Sequence, residues 1–99
     1  MDSSYVAARR NLAAVYSKGG RLADAAREYE RALSLQSADT NTRFNLGLVY
    51  VRLGQYDRAK ALLNEVIKEN PQHTRALYAL GEALLNEGDE GEARSYFER

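Results

Sequence analysis

Apolar residues along this chain recur three and four positions apart. In the stretch 40–69 they fall at Phe44, Leu46, Leu48, Val49, Tyr50 and Leu53, then at Tyr56, Ala59, Leu62, Leu63, Val66 and Ile67. That spacing keeps one face of an α-helix apolar, whereas a half-buried strand needs an alternation that is sustained nowhere here. Gly54 stands between the two stretches and suits the left-handed residue that ends a helix. Asn70-Pro71 closes the second stretch, because proline discourages helical geometry in the residue before it. Read in this way, the chain predicts helices at about 4–18, 22–35, 40–53, 56–69, 73–87 and 90–98.

The pattern repeats. Gly20, Gly54 and Gly88 lie 34 residues apart, and so do Leu12, Leu46 and Leu80, and Ala25, Ala59 and Ala93. Three gap-free triples at one period mark stacked structural units. The register gives units at 6–39, 40–73 and 74–99, the last stopping eight residues short of a full unit, with 1–5 as a lead-in. Each unit is expected to be a helix, a tight turn, a second helix and a short linker. Small residues stand where paired helices should approach closely: Ala13, Gly47 and Gly81 on the first helices, facing Ala25, Ala59 and Ala93 on the second. Tyr16, Tyr50, Leu84, Tyr29, Leu63 and Phe97 are expected to fill the core around them, not to form a cofactor box.

These residues resemble the tetratricopeptide repeat (TPR) family. Its 34-residue unit carries leucine-glycine, a tyrosine three residues later, a turn glycine, then an alanine and an aromatic on the second helix, and a closing proline. Unit two matches with Leu46, Gly47, Tyr50, Gly54, Tyr56, Ala59 and Pro71. Unit three matches with Leu80, Gly81, Gly88, Ala93 and Phe97, but has Leu84 for the tyrosine and Glu90 for an aromatic. Unit one keeps Leu12, Tyr16, Gly20, Ala25, Tyr29 and Ala32, with Ala13 for glycine and Ser37 for proline. Arg9 and Arg43 replace a large apolar residue near the start of the first helix. The resemblance covers about residues 6–99 and implies an all-α solenoid of helix hairpins, a right-handed superhelical fragment of about 2.75 units and six helices. The pentatricopeptide family, which binds RNA, fits less well: its period is 35 and its arrays are usually more basic.

Composition narrows the chemistry. Fourteen Lys plus Arg balance fourteen Asp plus Glu, without the cationic surplus that a nucleic-acid binder or a polybasic membrane surface needs. The balance is uneven along the chain: residues 1–81 hold 12 bases and 8 acids, and residues 82–99 hold 2 bases and 6 acids. Arginine outnumbers lysine 11 to 3, which favours bidentate recognition of carboxylates. There is no cysteine, hence no disulfide or thiolate chemistry, and one histidine, His73, expected exposed in a linker. No apolar run approaches the roughly 18 residues of a membrane span, and none follows the first Met as in a signal peptide. The compartment stays open, since a cysteine-free chain suits cytoplasm and periplasm equally.

Stacked hairpins curve and create a concave face. In the resembled family the first helices line that face and hold a peptide from another protein. Applied here, the resemblance implies a groove with an apolar centre of Phe44, Leu48, Val51 and Tyr78, expected to see solvent. Asn41, Asn45, Arg10, Arg52 and Arg75 join it as polar positions, with Lys18 nearby. The plainer alternative is that the apolar residues pack on each other or on the next unit and the arginines are ordinary surface. One TPR subgroup clamps the carboxyl-terminal acidic tails of chaperones. At its clamp places this chain has Arg10, Ala14, Asn45, Arg75 and Ala79, so two polar groups are missing and only a looser preference for acidic or carboxyl-terminal peptides follows.

Other constellations are weak. Asp89, Glu90 and Glu92, like Asp24 and Asp57, suit the positive end of a helix better than a metal site. No Gly-rich phosphate loop or nucleophile arrangement stands out. The expected function is therefore non-catalytic binding of a protein or peptide, without cofactor, nucleic acid or membrane. The alternative is weak self-association through an open carboxyl-terminal end around Leu77, Leu84 and Tyr96.

Overall fold

A computed structural model describes residues 3–35 and 39–99. Six helices follow one another: α1 (Ser3–Lys18), α2 (Leu22–Leu35), α3 (Thr40–Leu53), α4 (Tyr56–Glu69), α5 (Thr74–Asn86) and α6 (Glu90–Phe97). Their bounds agree with the apolar spacing to within a residue or two. Each helix packs mainly on its neighbours in sequence, α1 on α2, α2 on α3 and so on, and α3 also touches α5 directly. The molecule is accordingly long and thin, 43 × 27 × 18 Å. Ser37, which replaces the closing proline of unit one, lies outside the described residues.

One turn is built three times. Gly20, Gly54 and Gly88 adopt φ of 80°, 78° and 90°. The next amide then reaches back five residues: Arg21 N donates to Tyr16 O at 2.8 Å, Gln55 N to Tyr50 O at 2.9 Å, and Asp89 N to Leu84 O at 2.8 Å. These bonds satisfy carbonyls that the helix end would leave unpaired, and a side chain at that left-handed φ would cost about 1–2 kcal/mol.

Ala25, Ala59 and Ala93 are buried where the helices of each hairpin meet. The closest approach differs from the expected one. A Cβ on Gly47 would fall 2.9 Å from Leu63 Cγ and Cδ2, and one on Gly81 would fall 2.5 Å from Phe97 Cε1. The glycines thus accommodate a bulky residue sixteen positions on, one turn beyond the alanine, because a long side chain reaches back along its own helix. Tyr29, Tyr50, Leu63 and Leu84 are core, whereas Tyr16 is half-buried and Phe97 is exposed on one side.

Arg9 and Arg43 act as latches between the two helices of their hairpins. Arg9 Nη1 bonds Glu28 Oε2 at 2.9 Å. Arg43 is buried, pairs with Glu69 and lies 3.8 Å from Glu65. Long stems cover apolar surface while the charged heads find carboxylates, so an arginine can stand where an aliphatic residue would.

Candidate functional site

The site is assembled where α5 lies against α3. Helix α3 is started by Asp39, whose side chain accepts from Thr42 N at 3.2 Å and Thr42 Oγ1 at 2.7 Å. Helix α5 is started by His73, whose Nδ1 accepts from Ala76 N at 3.1 Å. The two caps are one period apart. His73 is therefore half-buried and structural, not an exposed linker residue, and its ring meets Phe44 at 4.8 Å between centroids.

Between the two helices runs an open cleft of 420 Å³ lined by Phe44, Leu48, Thr74, Arg75, Tyr78, Ala79 and Glu82. Phe44 is only 4% exposed. It forms the floor, with His73 against its ring and the Arg75 guanidinium over it at 4.9 Å. A cation over an aromatic face at that distance is attractive by about 0.5–1 kcal/mol at an exposed site. Tyr78 rises at the rim with 58% of its surface in solvent, and its ring lies 5.4 Å from that of Phe97. Arg75 is exposed, and Glu82 places one carboxylate across the cleft.

The nine residues read from the sequence separate into three groups. Phe44, Leu48, Arg75 and Tyr78 meet in the cleft. Asn41, Asn45 and Arg52 stand exposed along α3, and Arg52 Nη1 reaches Ser17 Oγ on α1 at 3.4 Å. Arg10 and Val51 are committed elsewhere. Arg10 Nη1 bonds Asp39 Oδ2 at 2.5 Å, tying α1 to the start of α3. Val51 is half-buried on the core. The expectation of four solvent-facing apolar residues is thus corrected to one, Tyr78. Phe44 is covered by His73 and Arg75, and Leu48 and Val51 are half-buried against the core.

Burial opposes ionisation of Asp39, but hydrogen bonds from Thr42 and the Arg10 charge outweigh it and hold the carboxyl below its ordinary pKa. The sequence reading passed over His73 and Thr74 as parts of the site. The signal for His73 was available, since it stands 34 residues after Asp39 and both immediately precede a threonine. No group of three His, Asp or Glu among the described residues is placed to hold a metal ion. No helix among them is long and apolar enough to cross a membrane.

Comparison with known proteins extends this. The chain is 37% identical over 76 residues to cellulose synthase operon protein C of Pseudomonas fluorescens (strain SBW25), covering 75% of this chain and 6% of that protein. The crystal structure of MamA matches 94% of this chain and 54% of its own, with a TM-score of 0.86 at 27% identity. The translocator chaperone SycD of the Yersinia enterocolitica type III secretion system matches 96% of this chain and 72% of its own, with a TM-score of 0.88 at 25% identity. This chain therefore spans about half of MamA and a small fraction of the Pseudomonas protein. Two family models, each described as tetratricopeptide repeat, match residues 4–68 and 44–99. With the same turn glycine, the same buried alanine and the same period in every hairpin, the chain belongs to the tetratricopeptide repeat family, whose members are protein-interaction modules.

Proposed function

We propose that this chain is a non-catalytic module that binds a segment of another protein in the cleft between α3 and α5. Residues 1–99 then act together as one domain of two full units and one partial unit. The observation that supports this reading is the pairing of an exposed tyrosine with a cation over a buried aromatic floor: Tyr78, Arg75 and Phe44. An apolar ligand side chain would lie on Leu48 and Tyr78 above Phe44, removing its surface from water at about 25 cal/mol per Å². Arg75 keeps donors pointed at solvent, and Asn41, Asn45 and Arg52 continue the polar edge along α3. A ligand with acidic groups flanking one apolar residue fits this arrangement.

Arg10 contributes less than the sequence alone suggests, because its Nη1 is already paired with Asp39. The likeness to a translocator chaperone supports the protein-binding reading in general terms.

The test uses a fluorescein-labelled peptide with one leucine between glutamates, titrated with the chain by anisotropy. Binding that weakens with added salt and falls at least tenfold in Tyr78→Ala and in Arg75→Glu supports the reading. Equal affinity for the parent and both variants, or for a peptide with lysines in place of the glutamates, overturns it.

A further inference from the structure

The expected open surface around Leu77, Leu84 and Tyr96 is corrected here: Leu77 and Leu84 are buried, and Tyr96 is half-buried on the core. The chemistry that the fold leaves unused lies in the cleft between α3 and α5. Four acids among the described residues are half-buried: Asp24, Glu28, Asp39 and Glu82. Three of them are answered by arginine. Asp24 pairs with Arg21 and Arg27, Glu28 with Arg9, and Asp39 with Arg10. Among the described residues Glu82 has neither an ion-pair partner nor a side-chain hydrogen bond. A carboxylate partly withdrawn from water loses hydration that a cation or a donor has to replace.

Glu82 lines the cleft together with Phe44 and Leu48 of α3 and with Arg75 of its own helix. Arg75 and Glu82 stand two turns apart on α5, hence on one face and about 10 Å apart along the helix axis. No ion pair joins them. The Arg75 guanidinium is held over the Phe44 ring at 4.9 Å, a contact that uses its flat face and leaves its N–H edge for a carboxylate. Tyr78 stands between the two charges on the same face, with Leu48 across the cleft. One end of the cleft is therefore positive, its middle apolar and its other end negative.

We propose that this cleft takes a peptide segment carrying an acidic and a basic side chain on opposite sides of its apolar residue, the acid meeting Arg75 and the base meeting Glu82. The proposal rests on the reading of the cleft as the binding site and refines it, since only the Arg75 side calls for an acid. An extended chain rises about 3.3 Å per residue, so about three residues separate the two charged positions of the ligand. Glu82 also excludes. A second acid placed there meets like charge in a half-buried position, whereas a lysine or arginine gains a partner.

The test is anisotropy with three fluorescein-labelled peptides that share one leucine and differ only in the two charged residues flanking it: Glu and Glu, Glu and Lys, or Lys and Lys. The parent should bind the Glu/Lys peptide tightest, by about fivefold over Glu/Glu, and Lys/Lys weakest. Glu82→Gln keeps the shape of the side chain and should bring Glu/Lys and Glu/Glu level. Glu82→Lys should reverse their order. Circular dichroism melts check that both variants fold as the parent does, and Glu82→Gln alone decides the matter if the lysine variant does not. A parent that binds Glu/Glu and Glu/Lys equally, both above Lys/Lys, overturns the proposal while leaving the binding cleft in place. A Glu/Lys preference that persists in Glu82→Gln overturns it too, because the base is then read elsewhere. If none of the three peptides binds, the cleft reading and the proposal fall together.

Discussion

Leu63 on α4 lies across Gly47 on α3, so close that a β-carbon on the glycine would fall 2.9 Å from its Cγ and Cδ2. Leu63 is fully buried and cannot swing into solvent. Gly47→Ala therefore gains about 1 kcal/mol of helix propensity but forces Leu63 off its rotamer in a packed core, at about 1–3 kcal/mol. A net loss of stability is expected, and Gly47→Leu should disrupt the middle hairpin altogether. Combining Gly47→Ala with Leu63→Ala should cost less than the sum of the two single changes, because the smaller residue vacates the contested space. Thermal melts of the three variants measure this. Strict additivity would mean that the two residues do not oppose each other.

The period explains why so much of the fold was legible. Gly20, Gly54 and Gly88 locate the turns because the backbone there needs a positive φ, and Ala25, Ala59 and Ala93 locate the helix crossings because only a methyl fits. Exposure was less legible. Phe44 reads as a groove residue from helical spacing, yet it is floor, since its burial depends on His73, the last residue of its own unit, and on Arg75 from the next. Arg10 reads as a free cation, yet its carboxylate partner stands 29 residues away. Helical spacing assigns a residue to a face; it does not say which side chain from another element covers that face.

Asp39 should make the protein acid-sensitive. Its folded carboxyl sits below its ordinary pKa, burial being outweighed by the Thr42 hydrogen bonds and Arg10. A depressed folded value contributes stability above the unfolded-state pKa, about 3.9, and loses it as pH falls through the folded value. Asp39→Asn keeps an N-cap acceptor but removes the charge. The melting-temperature gap between parent and variant should be constant from pH 5 to 7, in the range about 1 unit or more above that pKa, and should close on acidification. A gap independent of pH would show that the charge on Asp39 contributes nothing.

His73 caps α5 as Asp39 caps α3, and its ring also covers Phe44. Removing a capping acceptor typically costs about 0.5–2 kcal/mol, and the lost ring contact adds to that. His73→Ala should therefore lower stability by about 1–2 kcal/mol. His73→Asp should recover the cap, and a carboxylate also suits the positive end of the helix, but it leaves the Phe44 ring less covered. The order expected from denaturant midpoints is parent at or above His73→Asp, with His73→Ala lowest. An alanine variant as stable as the parent would remove the cap from consideration.

Arg75 and Arg10, alike in sequence, should separate in experiment. Arg75→Glu reverses an exposed charge above the cleft, and surface charges are worth little to stability, about 0–1 kcal/mol. Its main effect should be weaker binding of an acidic peptide. Arg10→Glu instead sets a carboxylate against Asp39, where the parent has a 2.5 Å ion pair, so the melting temperature should fall. Paired melting and anisotropy measurements distinguish the two roles. If Arg10→Glu left the melt unchanged and Arg75→Glu lowered it, the placements would be reversed.

Helix α6 should open first. It has eight residues, and isolated helices shorter than about 12 residues are marginal in water. Its hold on the stack comes from buried Ala93, from Phe97 lying on Gly81 and from half-buried Tyr96 on the core. Gly91 in its first turn weakens it further, since glycine costs about 1 kcal/mol relative to alanine in a helix. A Cβ at Gly91 would meet no atom within 4 Å, unlike Gly47 and Gly81. Gly91→Ala therefore has only the backbone gain to register and should raise stability by up to about 1 kcal/mol. Amides across 88–99 should exchange much faster than those across 44–67 in the parent, and Gly91→Ala should slow the first set while leaving the second nearly unchanged. Exchange as slow in α6 as in α4, or a Gly91→Ala variant less stable than the parent, would show that α6 is held by more than Ala93, Tyr96 and Phe97.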